Sequence, residues 1–169
     1  SYPTAVEFHE GFTAADYLNT LEQANRQSDE PLSLYVHIPF CAQRCTFCGC
    51  NVIVSKRDEV VERYLQSLFV ELDMLAAALP QRRRVVQHHW GGGTPTHLTV
   101  DQMTRLMAHV RSRFDIATNK EVAIEVDPDV TTDEQLVTLR QLGFNRLSIG
   151  VQDFNERVLE AAGRPQKRE

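Results

Sequence analysis

All four cysteines of the 169-residue chain fall within ten positions, Cys41-Ala-Gln-Arg-Cys45-Thr-Phe-Cys48-Gly-Cys50. Thiolates spaced three and then two residues apart can wrap one face of an iron–sulfur cube from a short loop. If Cys50 is not a ligand, one iron keeps an open coordination position, and such a position separates catalytic metal sites from structural ones. Two other chemistries use the same residues. A disulfide framework suits small, cysteine-dense secreted domains, and no signal-peptide pattern is visible. A structural zinc site usually draws on two well-separated CxxC pairs, and no second pair is present.

Positioning this loop falls to alternating strand and helix patterns. Leu32–Ile38 is a β-branched run between Pro31 and Pro39, so the cysteines follow a strand directly. Apolar residues from Val60 to Leu79 recur at helical spacing until Pro80 stops them. Val85–Trp90 reads as a second strand, and Thr99-x-x-Gln102 as a capping box opening a helix to about Phe114. Val122–Val126 is a third strand. Thr131 or Thr132 caps a helix to Leu142, with Gly143 as its C′ residue. Arg146–Val151 is a fourth strand, and a last helix runs from about Asn155 to Ala162. Four successive βα units imply an α/β fold with a parallel sheet and helices on its outer face.

Ligands bind at the carboxyl ends of parallel strands, which directs attention to three further segments. In Trp90-Gly-Gly-Gly-Thr-Pro95 the glycines either let a backbone approach a ligand or form a tight strand–helix turn. No Gly-Lys-Ser/Thr follows, which disfavours a P-loop. Glu125 interrupts the apolar strand Ile124-Glu-Val126, and it either points at a ligand or pairs with a cation. Asp127 reads as a strand-end residue, with Asp129 in the same turn. Gln152 follows the fourth strand, where a polar side chain is either solvated or turned to a ligand. The run Arg82-Arg-Arg84 lies at the opposite end, in a connection expected to be a solvated turn. Strand alternation allows only one of His88 and His89 to face the sheet's interior side, and neither is given a role.

The run Tyr35-Val-His-Ile-Pro-Phe-Cys-x3-Cys-x-Phe-Cys-Gly-Cys50 resembles the radical S-adenosylmethionine (SAM) enzymes, and within them the oxygen-independent coproporphyrinogen III oxidases. The likeness extends from Ser1 to Arg164 and leaves 165–169 unplaced. It implies a partial (β/α)6 barrel, here a parallel-stranded barrel truncated after about four βα units, with residues 1–31 as an N-terminal extension and 32–169 as the first part of the core domain. It implies a [4Fe-4S] cluster on Cys41, Cys45 and Cys48, with Cys50 as the family's extra, non-ligating cysteine and a catalytic residue. SAM contacts carry over to Tyr35, Phe47, Gly49, Gly92, Gly93, Thr94, Glu125, Gln152 and Arg164. The implied reaction is oxidative decarboxylation of two propionates of coproporphyrinogen III to vinyl groups. An electron donor of flavodoxin type, a monomeric state and a cytoplasmic location complete the expectation. A haem-chaperone relative, which usually lacks the extra cysteine, and a zinc-binding structural domain are the alternatives.

Composition fits these readings. With 18 basic and 23 acidic residues the net charge is −5, which argues against nucleic acid as the main partner, because phosphate binding needs a basic face. No apolar stretch approaches the roughly 20 residues of a membrane span.

Overall fold

The computed structural model describes residues 5–7, 9–27 and 29–164; the remaining positions, including parts of the N-terminal match and all of 165–169, lie outside the described residues. Helix α1 (Ala14–Arg26) precedes the first strand and is opened by a capping box, Thr13 with Asp16. Tyr17, Leu18, Leu21 and Ala24 recur at helical spacing along it, yet none of its residues is buried. Strand β1 (Leu32–Ile38) matches its expected bounds. Two short strands, β2 (Phe40–Cys41) and β3 (Ile53–Val54), then pair in parallel and bracket the cysteine loop.

Helix α2 (Asp58–Ala78) buries Val61, Leu65, Leu68, Leu72 and Ala76 along one stripe. Strand β4 (Arg84–Gly92) leads through a single 3-10 turn, Pro95–His97, to helix α3 (Val100–Arg113). Both partners of the Thr99–Gln102 capping box are in place. Strand β5 (Asp115–Val126) begins earlier than the apolar run suggested. Its pairing with β4 steps from Ile116 to Glu121 while β4 advances only from Val85 to Gln87, and Asn119 sits at φ 58° in that excursion. Asn tolerates the left-handed region, so a polar turn is absorbed into the strand. Helix α4 (Asp133–Gln141) is capped by Thr132 and ends with Gly143 at φ 87°. Strand β6 (Arg146–Ile149) stops two residues short of Val151, and α5 (Glu156–Ala161) follows, with Asn155 as its cap.

The four long strands form one parallel sheet in the order β1-β4-β5-β6. The core lies between one face of this sheet and the helices, where Val36, Ile38, Trp90 and Ile124 meet Leu65, Met103, Leu106 and Met107. Strand alternation sorts the two histidines: His88 and Trp90 are fully buried, whereas His89 lies on the other face near Tyr35 and Glu125. Trp90 Nε1–H donates to His88 Nε2 at 2.8 Å. The ring is therefore a neutral imidazole carrying its proton on Nδ1, from which it donates to Leu34 O at 3.2 Å. This sews β1 to β4 from inside the core.

Arg82 does not lie in a solvated turn as expected. Its guanidinium donates to Glu30 O, Ala24 O and Pro31 O, tying the end of α1 to the connection after α2. Three donors on a planar fork can satisfy several carbonyls at once, which is why an arginine suits a junction of chain ends. Arg83 likewise donates to Arg113 O and lies over the Phe114 ring.

Candidate cofactor-binding cleft

At the carboxyl ends of the parallel strands the chain forms a cleft of about 770 Å³. The four cysteines, Phe47, Gly49, Gly92, Gly93, Thr94, Glu125, Gln152 and Arg164 all line it. Every expected site residue except Tyr35 is thus gathered on one concavity. Tyr35 lies beside it on the exposed face of β1, where it stacks on His89 and its hydroxyl meets His37 Nδ1 at 3.0 Å. Burial, followed by the charge of Glu125, pushes the Tyr35 phenol up.

The cysteine loop has little regular structure and is pinned at several points. Its start is fixed by the β2–β3 pairing and by Ser55 N–H donating to Cys41 O. Its middle is fixed from α5, because Thr46 N–H donates to Ala162 O and Gln43 to Gly163 O. Its end is held by His37, whose Nε2 lies 3.0 Å from Asn51 O. Four thiols remain free. Burial raises the Cys41 thiol, an effect opposed by Thr94, whose hydroxyl is 3.5 Å from the sulfur, and by the positive charge of Arg164. The Cys50 thiol is also raised, first by burial and then by Cys48. Among the described residues no three His, Cys, Asp or Glu side chains converge as they would on a single metal ion.

The glycine segment packs tightly against the protein's own chain, in line with the turn alternative. Gly93 N–H donates to Ile38 O and Thr94 N–H to Phe40 O, so the turn after β4 is zipped onto the end of β1 and onto β2. A Cβ on Gly93 would lie 2.8 Å from Phe40 O and 2.9 Å from Cys41 Sγ. Gly92 has φ 122°, and a Cβ there would lie 2.8 Å from Ile38 O. What comes so close is the protein's own chain and its first cysteine, rather than only a ligand.

Glu125 accepts from Gly92 N–H at 3.1 Å through Oε2, and its Oε1 lies 3.4 Å from His89 Nε2. The carboxylate lines the cleft and also stands beside an imidazole. Gln152 lies beyond β6 with φ 67°, a left-handed conformation for a residue with a side chain, of the kind that collects at functional sites. Arg164 pairs with Asp127 at 2.9 Å and its Nη2 reaches Gly150 O at 3.4 Å. Its Nε is buried and, among the described residues, has no hydrogen-bond partner. Asp127 is therefore more than a strand-end residue. Sequence reading missed this role because the partners stand 37 positions apart on different elements.

Comparison with known proteins agrees with this geometry. The family model of the radical SAM superfamily matches residues 35–169. The chain is 47% identical over 169 residues to a protein of Salmonella typhimurium named oxygen-independent coproporphyrinogen III oxidase, covering all of this chain and 36% of that protein. It is 42% identical over 166 residues to the protein of that name from Synechocystis, covering 98% and 35% of the two. A shorter Mannheimia haemolytica protein of the same name is 48% identical over 128 residues, which are 76% of this chain and 85% of that one. The solved structure of coproporphyrinogen III oxidase from Escherichia coli, described as a radical SAM enzyme, superposes with a TM-score of 0.90 at 46% identity, over 99% of this chain and 38% of that one. The chain thus spans little more than a third of the length of the first relatives it matches. The α/β architecture and its parallel four-stranded sheet are those of the superposed enzyme. On its sequence, its fold and the residues gathered in its cleft, the chain belongs to the radical SAM superfamily and, within it, to the family of oxygen-independent coproporphyrinogen III oxidases.

Proposed function

We propose that this chain supplies the cluster- and SAM-binding part of an enzyme that converts coproporphyrinogen III to protoporphyrinogen IX without oxygen. The observation that carries the reading is the cleft itself: three thiols in CxxxCxxC spacing face Gly92, Thr94, Glu125, Gln152 and a buried arginine Nε that is unsatisfied among the described residues, across one concavity. The donor set fits the group. Thiolates are the ligands of iron–sulfur clusters, and an orphaned buried donor marks a place where an acceptor is missing.

When bound, the [4Fe-4S] cluster and SAM supply a one-electron reductant and a carbon-centred radical, and the protein's part is to bind, orient and shield them. Cys41, Cys45 and Cys48 would hold the cluster; Cys50, the most exposed of the four, stays outside the ligand set. Thr94, pinned through its backbone to Phe40 O, faces the Cys41 sulfur. The glycine turn and Glu125 would take the charged ends of SAM's methionine part, and Gln152 and Arg164 close the opposite side of the cleft. Phe47, half exposed at its mouth, offers an apolar face that keeps water off the reacting atoms. Each of the two propionates that react would give up one hydrogen atom from its β-carbon, one electron and carbon dioxide, leaving a vinyl group. A flavodoxin-type donor, a monomeric state and a cytoplasmic location belong to the same proposal; among the described residues no helix is long and apolar enough to cross a membrane.

The test is anaerobic reconstitution with iron and sulfide, followed by electron paramagnetic resonance of the reduced protein with and without SAM. A [4Fe-4S]⁺ signal that changes on adding SAM, and is lost in Cys45→Ser but kept in Cys50→Ser, is the expected result. A signal indifferent to SAM, or iron retained in full by Cys45→Ser, overturns it.

A further inference from the structure

Helices α3 and α4 both open with a capping box, and in both the glutamine of the box has a second task. Gln102 accepts from Thr99 N–H through Oε1 at 2.9 Å, and its Nε2 donates to Asp58 and Glu62 of α2 at 2.8 and 2.9 Å. Gln135 accepts from Thr132 N–H at 2.9 Å, and its Nε2 donates to Thr96 O and Leu98 O, both at 2.8 Å. Each glutamine thus caps its own helix and clasps the βα unit before it. A glutamate serves equally in a capping box, and its charge is favoured at a helix N-terminus. Only the amide can also donate. At Gln135, which is 8% exposed, that donor meets two carbonyls, and without it they lose the partner that their burial requires.

The two clasps hold different things. Gln102 ties helix to helix in the outer layer. Gln135 ties α4 to the single turn Pro95–His97, which follows the glycine segment and lines the cleft together with Thr94. A second link joins the same two loops: the Thr96 hydroxyl, on a residue 3% exposed, lies 2.8 Å from that of Thr131. From the turn the path continues to the cysteines. His97 N–H donates to Thr94 O, the His97 ring stacks on Phe40, and Thr94 N–H donates to Phe40 O, one residue before Cys41. The Thr94 hydroxyl itself stands 3.5 Å from the Cys41 sulfur. From this geometry we infer that Gln135, remote from the thiols in sequence, is a positioning residue for the cluster site: it holds the 94–98 turn against Phe40 and so sets how Thr94 meets Cys41. What the turn faces rests on the proposed function; the clasp itself does not.

The experiment pairs amide hydrogen exchange of the cluster-free protein with electron paramagnetic resonance of the reconstituted, reduced protein, at about pH 8.5, where a carboxyl is ionised. Gln135→Glu keeps an acceptor for Thr132 N–H and loses the donor. Exchange at the Gly93 and Thr94 amides, measured against those inside β1, should then speed about 10-fold. The [4Fe-4S]⁺ signal should shift in its g-values with iron and sulfide retained. Gln135→Met, which cannot donate at any pH, should behave in the same way. Gln102→Glu, which sets a third carboxylate beside Asp58 and Glu62, should lower the urea midpoint and leave both readouts as in the wild type. Four results overturn the inference. They are unchanged exchange in both Gln135 variants, a change confined to Gln135→Met (the helix cap alone would then matter), the same change in Gln102→Glu (a general loosening), or faster exchange with an unaltered spectrum (a strut without influence on the cluster). If the wild-type protein takes up no cluster, the proposed function falls and the positioning role with it, while the exchange rates still decide whether the clasp exists.

Discussion

Two strands of one sheet differ sharply in what surrounds them. Strand β4 carries Val85, His88, Trp90 and Gly91 in full burial, paired on both sides and covered by α2 and α3. Strand β6 pairs on one side only, with β5, and all four of its residues are exposed. The cleft draws on both. Gly92, Gly93, Thr94 and Glu125 stand on the well-packed half, while Gln152 and Arg164 hang from the thinly packed one, beside exposed Ile149 and Phe154. The difference teaches that the cluster-side elements are fixed by the core, whereas the far wall of the cleft is held by a few polar links, chiefly Asp127–Arg164 and the bonds from the cysteine loop to Ala162 and Gly163. Local stability follows packing density, and the same unevenness should appear in mutational sensitivity.

The largest expected effect is Gly93→Ala. One added Cβ meets Phe40 O and Cys41 Sγ below 3.0 Å, so the first cysteine must move. Cluster loading should collapse, read as iron and sulfide per chain after reconstitution; full loading would show that the glycine turn is not locked to β2. Next comes Trp90→Ala, which removes the largest fully buried side chain and its edge-on contact with Phe144 at 4.9 Å between centroids. A loss of about 3–5 kcal/mol by urea denaturation is expected. A loss below 1 kcal/mol would dissolve the contrast between the two halves.

The third prediction concerns pH. Burial holds His88 neutral, with its pKa lowered from 6.5 to about 4. Between those values the unfolded chain binds a proton that the folded chain refuses. Stability from this residue is therefore complete above 6.5 and is lost as pH falls toward 4, by about 3 kcal/mol at most. His97, lowered by burial too, adds in the same direction. His88→Gln should flatten the slope of unfolding free energy between pH 6.5 and 4.5; an unchanged slope would place the acid sensitivity elsewhere. The smallest effect is expected on the other half: Leu147→Ser, on exposed β6, should stay within about 0.5 kcal/mol in the same urea assay. A loss above 2 kcal/mol would mean that β6 is buried in solution.

The contrast also explains what could be read in advance. Strand β1, helices α2, α3 and α4 and their caps are visible in the chain because each buries a periodic stripe or starts with a Thr whose side chain answers a residue three positions on. Helix α1 carries the same signals, a Thr13–Asp16 capping box and Tyr17, Leu18, Leu21 and Ala24 at helical spacing, but they do not mark a core face, since none of its residues is buried; α1 is tied by Arg82 and by Asn25, which accepts from Gln81 N–H. The excursion in β5 around Asn119 was hidden, since polar residues in a loop and polar residues looped out of a strand look alike.

For the cleft, spacing alone determined that three thiols in one short loop could share a cluster, because loop length sets how far apart neighbouring cysteines can reach. Residue type alone placed Glu125 and the glycine turn at strand ends. Only the tertiary structure decided which face each strand residue takes, so that His88 became a neutral tie inside the core while its neighbour His89 came to stand beside Glu125. It alone brought Asp127 to Arg164 and left one buried nitrogen without a partner among the described residues. The physical reason is that local sequence encodes periodicity and reach, while a pairing between distant elements exists only when the sheet's register puts two chain ends at the same mouth.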